Sequence, residues 1–213
     1  TLEAMHLDAI IVRHKESGTP ESLVKHAMSG VAVINAGDGN RAHPTQGLLD
    51  VLTIRQHRPD FDQLTVTICG DVLHSRVARS DVHALQALGT STIRLCGPAA
   101  LMPDASELPG VEISHDFDAA IEGAGAVIML RLQKERMAAT ELPDEAAYFA
   151  RYGLDKKRLA RAEKGCLVMH PGPINRGIEI APDVADGAQS RILEQVGNGV
   201  FVRMAVLAEV LGR

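Results

Sequence analysis

Short apolar runs recur along this chain at residues 9–12, 31–34, 64–69, 92–95, 111–113, 126–130 and 166–169. They read AIIV, VAVI, LTVTIC, TIRL, VEI, AVIML and CLVM, and most are rich in β-branched residues, as expected of strands covered on both faces of a parallel sheet. Between most of them the apolar positions return every three or four residues instead. Pro20-Glu21-Ser22 opens one such segment, continued by Leu23, Val24, Ala27 and Met28. Pro44 opens a second, carried by Leu48, Leu49, Val51 and Leu52 to about His57 and ended by Arg58-Pro59-Asp60. A third spans 75–88 through Val77, Ala78, Val82, Leu85 and Leu88, and a long terminal one runs from Ile192 to Leu211. Strands alternating with helices are the signature of βαβ units. The expected fold is therefore α/β, two doubly wound parallel-sheet units joined by a helix, the first incomplete. The expected divisions are residues 1–50, 51–190 and 191–213, the last a terminal helix packing back on the first unit. Residues 138–152 show no clear period around Thr140, Pro143, Asp144, Glu145 and two tyrosines, and read as an irregular loop over a site.

Composition narrows the function classes. Of the 213 residues, 46% are hydrophobic, 23% charged and only 3% aromatic, which suits an aliphatic α/β core. A formal net charge of −5 argues against a nucleic-acid surface, which needs clustered positive charge, so any anionic ligand must be met by a few placed arginines. Cys69, Cys96 and Cys166 sit at or beside apolar runs with no ligand-like partner at short spacing, and are expected to be buried free thiols, not a metal site or a disulfide framework. No apolar stretch approaches the roughly 18 residues of a membrane helix, and the chain reads as cytoplasmic.

The candidate chemistry gathers where strands end. Residues 31–46, VAVINAGDGNRAHPTQ, run from an apolar strand, expected to be broken by Gly37-Asp38-Gly39, into the helix opened by Pro44. His43 and Gln46 therefore fall at a strand-to-helix switch, where ligands of open α/β sheets collect. Four other strand ends carry polar groups: Arg13-His14; Gly70-Asp71 with His74-Ser75-Arg76; Arg131, Gln133, Lys134, Glu135 and Arg136; and His170-Pro171-Gly172-Pro173. If these ends share one rim, several guanidinium groups converge there, and their planar forks bind carboxylate or phosphate oxygens in pairs. His43 and Arg13 could then polarise a carbonyl by donating hydrogen bonds to its oxygen, worth roughly 3 to 4 kcal/mol per donor. The sequence offers no nucleophile triad, Walker motif, CxxC or GxGxxG. Direct transfer between two bound substrates fits better than a covalent intermediate, with no cofactor and no metal.

VINAGDG with HPTQ, then GDVLHSRVARS, RLQKER and HPGPINRGIEI, in this order and over nearly the whole chain, closely resembles the catalytic chain of the aspartate carbamoyltransferases, within the aspartate/ornithine carbamoyltransferase family. HPTQ alone also suits the ornithine branch, whereas RLQKER and HPGP look like the aspartate branch. The resemblance implies transfer of the carbamoyl group from carbamoyl phosphate to L-aspartate in pyrimidine biosynthesis. It implies that Arg13 and His43 contact the carbonyl of carbamoyl phosphate, that Gln46 contacts its amino group, and that backbone carbonyls of Pro171 and Gly172 orient the nitrogen groups. Arg76, Arg131 and Gln133 would hold the aspartate carboxylates. Residues 1–50 would then be the C-terminal part of a carbamoyl phosphate-binding domain and 51–190 an aspartate-binding domain. The implied assembly is a homotrimer with shared active sites, and HPGPINRG suggests a dihydroorotase or dihydroorotase-like partner.

One departure stands against this match. The family's Ser-Thr-Arg-Thr-like phosphate grip and its lysine-bearing loop are not found in residues 1–213, and the sequence opens at Thr1. The expectation is an N-terminally truncated chain that by itself transfers no carbamoyl group. Three rival readings remain at this point: an ornithine-type carbamoyltransferase, a non-catalytic homologue serving as scaffold or binding subunit, and a nucleotide-binding Rossmann domain, the last disfavoured by the missing glycine fingerprint.

Overall fold

A computed structural model describes residues 3–27, 30–133 and 144–212. Two parallel sheets organise them. The smaller pairs β1 (Ala9–His14) with β2 (Ala32–Asp38), crossed over by α1 (Thr19–His26). The larger contains β3 (Thr65–Cys69), β4 (Thr92–Cys96), β5 (Glu112–Ser114), β6 (Ala126–Met129) and β7 (Leu167–Met169), in the order β5-β4-β3-β6-β7 with every pair parallel. The order reverses between β3 and β6, so the sheet has a topological switch point at β3, where a crevice opens beyond the strands' carboxyl ends.

The central strands bury both faces. Val66, Ile68, Leu95, Ile128 and Met169 pack on one side, Cys69, Val127, Met129 and Val168 on the other, and each set belongs to its own apolar cluster. This double burial is why the sequence shows continuous apolar runs here instead of alternation. Cys69, Cys96 and Cys166 are buried free thiols, and burial pushes Cys166 up to about 12. Among the described residues no helix is long and apolar enough to cross a membrane.

Helix α2 (Pro44–His57) connects the sheets. It packs on α3 (Arg76–Ala87) and on the terminal α8 (Ile192–Val210), which follows the shorter α4 (Phe117–Ala120), α5 (Glu145–Tyr152), α6 (Lys156–Leu159) and α7 (Pro182–Ala185) along the chain. Gly47 permits the first contact, because a Cβ there would stand 2.8 Å from the Ser80 carbonyl oxygen. The second is polar: Asn198 Nδ2 donates to Thr53 Oγ1 at 2.9 Å and to Gln56 Oε1 at 2.7 Å, and Gln195 Nε2 donates to Asp50 Oδ1 at 2.7 Å. The far half of α8, with Arg203, Val206 and Leu207, lies beside Ile11 of β1 and Ile34 of β2.

Two sequence expectations are corrected. The glycine turn at 37–39 does not break the strand. β2 continues to Asp38, which pairs with His14 after a bulge that puts one extra residue in β2, where Gly37 takes φ 140°, a conformation that residues with a Cβ rarely adopt. Nor is 138–152 wholly irregular. Glu145–Tyr152 forms helix α5, N-capped by Asp144, whose side chain accepts from the Ala147 N–H at 2.8 Å. Asp144 with Glu145 is a helix start that reads as loop composition. Tyr148 and Tyr152, four apart, both face the core with ring centroids 5.5 Å apart. The rest of that stretch, 138–143, lies outside the described residues, as do Met28, Lys134, Glu135 and Arg136.

Candidate active site

One cleft of about 410 Å³ is lined by Arg13, His43, Gln46, Arg76, Arg131, Gln133, Pro171 and Gly172. These are the eight residues to which the resemblance gives substrate contacts, drawn from five separate stretches of the chain. Arg203 of α8 also lines it and was not foreseen. Its sequence context, GNGVFVRMAV, reads as an apolar helix in which one arginine looks like a surface charge. Only the packing of α8 across α2 brings it to the cleft.

Each side chain is placed by local structure. Arg13 leaves the carboxyl end of β1. Arg76 opens α3 behind the N-cap Ser75, whose Oγ accepts from the Ala78 N–H at 3.1 Å, and its Nη1 reaches the Gly39 carbonyl at 3.3 Å. Gly37 lies against both arginines. A Cβ on it would fall 2.9 Å from Arg76 Cζ and 3.3 Å from Arg13 Cγ. Beyond β6 buried and half-buried residues alternate along the chain. Leu130 and Leu132 enter the core, and Arg131 and Gln133 face the cleft. The buried Asp71 holds this segment, its Oδ2 accepting from the Gln133 N–H at 3.2 Å and its Oδ1 contacting His74 Nδ1 at 2.8 Å. The Gln133 amide nitrogen in turn donates to the His74 carbonyl at 2.9 Å.

Two other polar strand-end residues, His14 and His170, serve structure instead of lining this cleft. His14 Nδ1 accepts from the Glu16 N–H at 3.1 Å and lies 3.0 Å from Thr19 Oγ1, which organises the turn into α1. His170 is buried, with Nδ1 accepting from the Gly172 N–H at 2.9 Å and Nε2 lying 3.1 Å from Glu179 Oε1. Because the backbone N–H can only donate, the ring proton sits on Nε2 and points at the carboxylate. This shapes the loop carrying Pro171 and Gly172.

His43 occupies the N-cap position of α2, its backbone N–H donating to Ser80 Oγ at 2.8 Å. Desolvation lowers its pKa to about 4, aided by the Arg76, Arg13 and Arg203 guanidiniums. Both causes disfavour imidazolium, so at neutral pH the ring is uncharged and can donate one N–H without adding charge. Nδ1 is buried with no hydrogen-bond partner among the described residues. The unfolded chain protonates this imidazole near 6.5, so acidification below that value draws the chain toward unfolding, and the folded ring takes its proton only near 4. An NMR titration of the His43 ring carbons is expected to show a midpoint near 4, moving upward in Arg76→Leu. A midpoint at 6.5 in the unaltered protein would contradict the burial and charge argument.

An α/β fold whose sheet switch point opens on an arginine-rich cleft defines a protein that binds small anions. Comparison with known proteins agrees with that class and sharpens it. The family profile "Aspartate/ornithine carbamoyltransferase, carbamoyl-P binding domain" matches residues 1–56, and "Aspartate/ornithine carbamoyltransferase, Asp/Orn binding domain" matches residues 62–210. The chain belongs to the aspartate/ornithine carbamoyltransferase family. It is 58% identical, over 99% of its length and 67% of the relative's, to the aspartate carbamoyltransferase catalytic subunit of Xanthomonas campestris pv. campestris, and 56% identical, with the same coverage, to that of Stenotrophomonas maltophilia. Among solved structures, the ornithine carbamoyltransferase of Pyrococcus furiosus is similar at TM-score 0.86 and 27% identity, covering 99% of this chain and 69% of that one. The aspartate transcarbamoylase of Trypanosoma cruzi, in complex with carbamoyl aspartate and phosphate, is similar at TM-score 0.78 and 30% identity, covering 97% and 66%.

Proposed function

We propose that the native protein transfers the carbamoyl group of carbamoyl phosphate to the amine of L-aspartate, giving N-carbamoyl-L-aspartate and phosphate for pyrimidine biosynthesis. The observation that carries the reading is the convergence of Arg13, His43, Gln46, Arg76, Arg131 and Gln133 on one cleft, with His43 uncharged. In this reading Arg76, Arg131 and Gln133 grip the two aspartate carboxylates and leave the α-amine beside the carbamoyl carbon. Arg13 and neutral His43 donate to the carbonyl oxygen, where negative charge grows as the amine attacks. The C–N bond forms, the carbon–oxygen bond to phosphate breaks, and the amine proton leaves with the departing phosphate. The backbone carbonyls of Pro171 and Gly172 receive the nitrogen groups. No step calls for a covalent enzyme intermediate.

The relatives of 58% identity carry the aspartate name, and the ornithine enzymes share the fold at lower identity. A panel of amino acids offered with carbamoyl phosphate to the native protein tests the choice. Aspartate is expected to be carbamoylated and ornithine not, since two guanidiniums suit a second carboxylate and repel a second ammonium. Preferred carbamoylation of ornithine would overturn the assignment. The same reading carries a cytoplasmic homotrimer with sites shared between subunits and a dihydroorotase-like partner, for which light scattering of the native protein, alone and with that partner, is the measurement.

A further inference from the structure

Behind the cleft, where α2, α3 and α8 meet, two carboxyl groups are shut away from solvent. Asp50 and Asp81 are both 0% exposed. Asp50 Oδ1 accepts from Gln46 Nε2 at 3.0 Å and from Gln195 Nε2 at 2.7 Å. Asp50 Oδ2 and both oxygens of Asp81 meet no donor among the described residues, and the two acids, on the packed helices α2 and α3, lie close enough to act directly on one another. Two neighbouring buried carboxylates with no donor between them repel, and a proton on one of them relieves this by letting it donate to the other. Desolvation pushes both acids upward, Asp50 to about 6 and Asp81 further. The proton belongs on Asp81, because an Asp50 anion is stabilised by two amide N–H groups as well as the Asp81 hydroxyl, whereas an Asp81 anion would have the Asp50 hydroxyl alone.

The donor directions follow from a backbone group whose role is not in question. The His170 N–H donates to Gln195 Oε1 at 2.9 Å. Gln195 therefore turns its NH2 toward Asp50, which makes Asp50 Oδ1 an acceptor. Gln46, at the same oxygen, must also present its NH2 and leave its carbonyl oxygen on the cleft side. A flipped Gln46 would set oxygen against oxygen in a buried site, which is costly.

We propose that Asp50 and Asp81 act as a proton-sharing positioning pair that locks the Gln46 amide with its oxygen toward the cleft, so that the cleft selects a substrate whose reacting carbonyl bears an N–H group. Neither acid touches substrate. This proposal rests on the carbamoyl-transfer reading and adds to it the origin of discrimination against acyl phosphates that carry a methyl group in place of the amino group. The arm through Gln195 ties the same carboxylate to the Pro171–Gly172 loop, so one buried anion orients groups on two sides of the cleft.

The test compares kcat/KM for carbamoyl phosphate and acetyl phosphate, with aspartate as acceptor, in the native protein and two variants. Asp50→Leu frees the Gln46 amide, and the carbamoyl-over-acetyl ratio is expected to fall about tenfold or more, the acetyl rate moving less than about threefold. Asp81→Asn replaces a neutral hydroxyl donor by a neutral N–H donor and is expected to keep the ratio within about threefold. An unchanged ratio in Asp50→Leu, or an equal collapse in Asp81→Asn, overturns the proposal. Infrared spectroscopy decides the proton independently of activity and of whether the leucine variant folds. The unaltered protein at neutral pH is expected to show the carbonyl band of an un-ionised buried carboxyl that vanishes in Asp81→Asn, and absence of that band overturns proton sharing. If the native protein transfers no carbamoyl group at all, the functional reading fails, while the infrared result still stands or falls by itself.

Discussion

Replacing Arg131 by alanine in the native protein is expected to raise the KM for aspartate by about two orders of magnitude while moving the KM for carbamoyl phosphate less than about threefold. The magnitude comes from two charge-assisted hydrogen bonds to one carboxylate, each worth roughly 1.5 to 3 kcal/mol, with part recovered by water entering the emptied space. The asymmetry comes from position. Arg131 is delivered by the segment after β6 of the larger sheet, with Gln133, whereas Arg13 and His43 belong to the smaller sheet and the start of α2. The buried Leu132 and the bond from the Gln133 N–H to Asp71 hold that segment, so removing the guanidinium should not collapse it. Steady-state kinetics with each substrate varied in turn checks this. Equal rises in both KM values would mean that Arg131 serves the shared electrophilic centre, and the assignment of aspartate to this side of the cleft would fail. Arg131→Lys should recover little, because a single ammonium cannot reproduce a planar fork.

What the sequence could disclose, and what it could not, follows from the range of the forces involved. Central strands buried on both faces leave uninterrupted apolar runs, so 64–69 and 126–130 locate β3 and β6 to within a residue at either end. Strand ends in parallel sheets point the same way, which is why polar residues following different runs can be assigned to one rim from sequence. Long-range packing is another matter. Arg203 enters the cleft only because α8 crosses α2, an arrangement set by Gln195 and Asn198 bonding to residues 145 and 142 positions away. Helix polar residues of this kind look like solvent-facing ones in a linear reading. The Asp50–Asp81 pair was hidden in the same way, since acidic residues in amphipathic helices are normally exposed. Asp71 was visible as a strand-end residue, but its part in holding Gln133 depends on β3 and β6 being neighbours, which sequence order does not give. Helix α5 was missed for a local reason: Pro143-Asp144-Glu145 is equally good composition for a turn or for a helix start, and only the burial of Tyr148 and Tyr152 decides between them.

Gly37→Ala should be an activity lesion out of proportion to its size. Gly37 has φ 140°, a conformation that residues with a Cβ rarely adopt, so alanine there costs of order 1 to 2 kcal/mol in backbone strain. The added methyl would also stand 2.9 Å from Arg76 Cζ, 3.0 Å from Arg76 Nη1 and 3.3 Å from Arg13 Cγ. The near atoms belong to long, flexible side chains, so they can give way and the protein should still fold, with a modest drop in melting temperature. Giving way is what harms function. Arg76 swings from the place that its bond to the Gly39 carbonyl defines, and Arg13 moves with it, so one substitution disturbs a guanidinium proposed for each substrate. Displacing a positioning group by about 1 Å can reduce rate about a hundredfold. We therefore expect kcat/KM to fall by about that factor for both aspartate and carbamoyl phosphate, in contrast to the one-sided effect at Arg131. A variant that keeps its kcat/KM within about threefold of the native protein would show that the spacing of Arg13 and Arg76 is not what the cleft depends on. A variant that fails to fold would instead place the close approach of Gly37 among the contacts that build the smaller sheet.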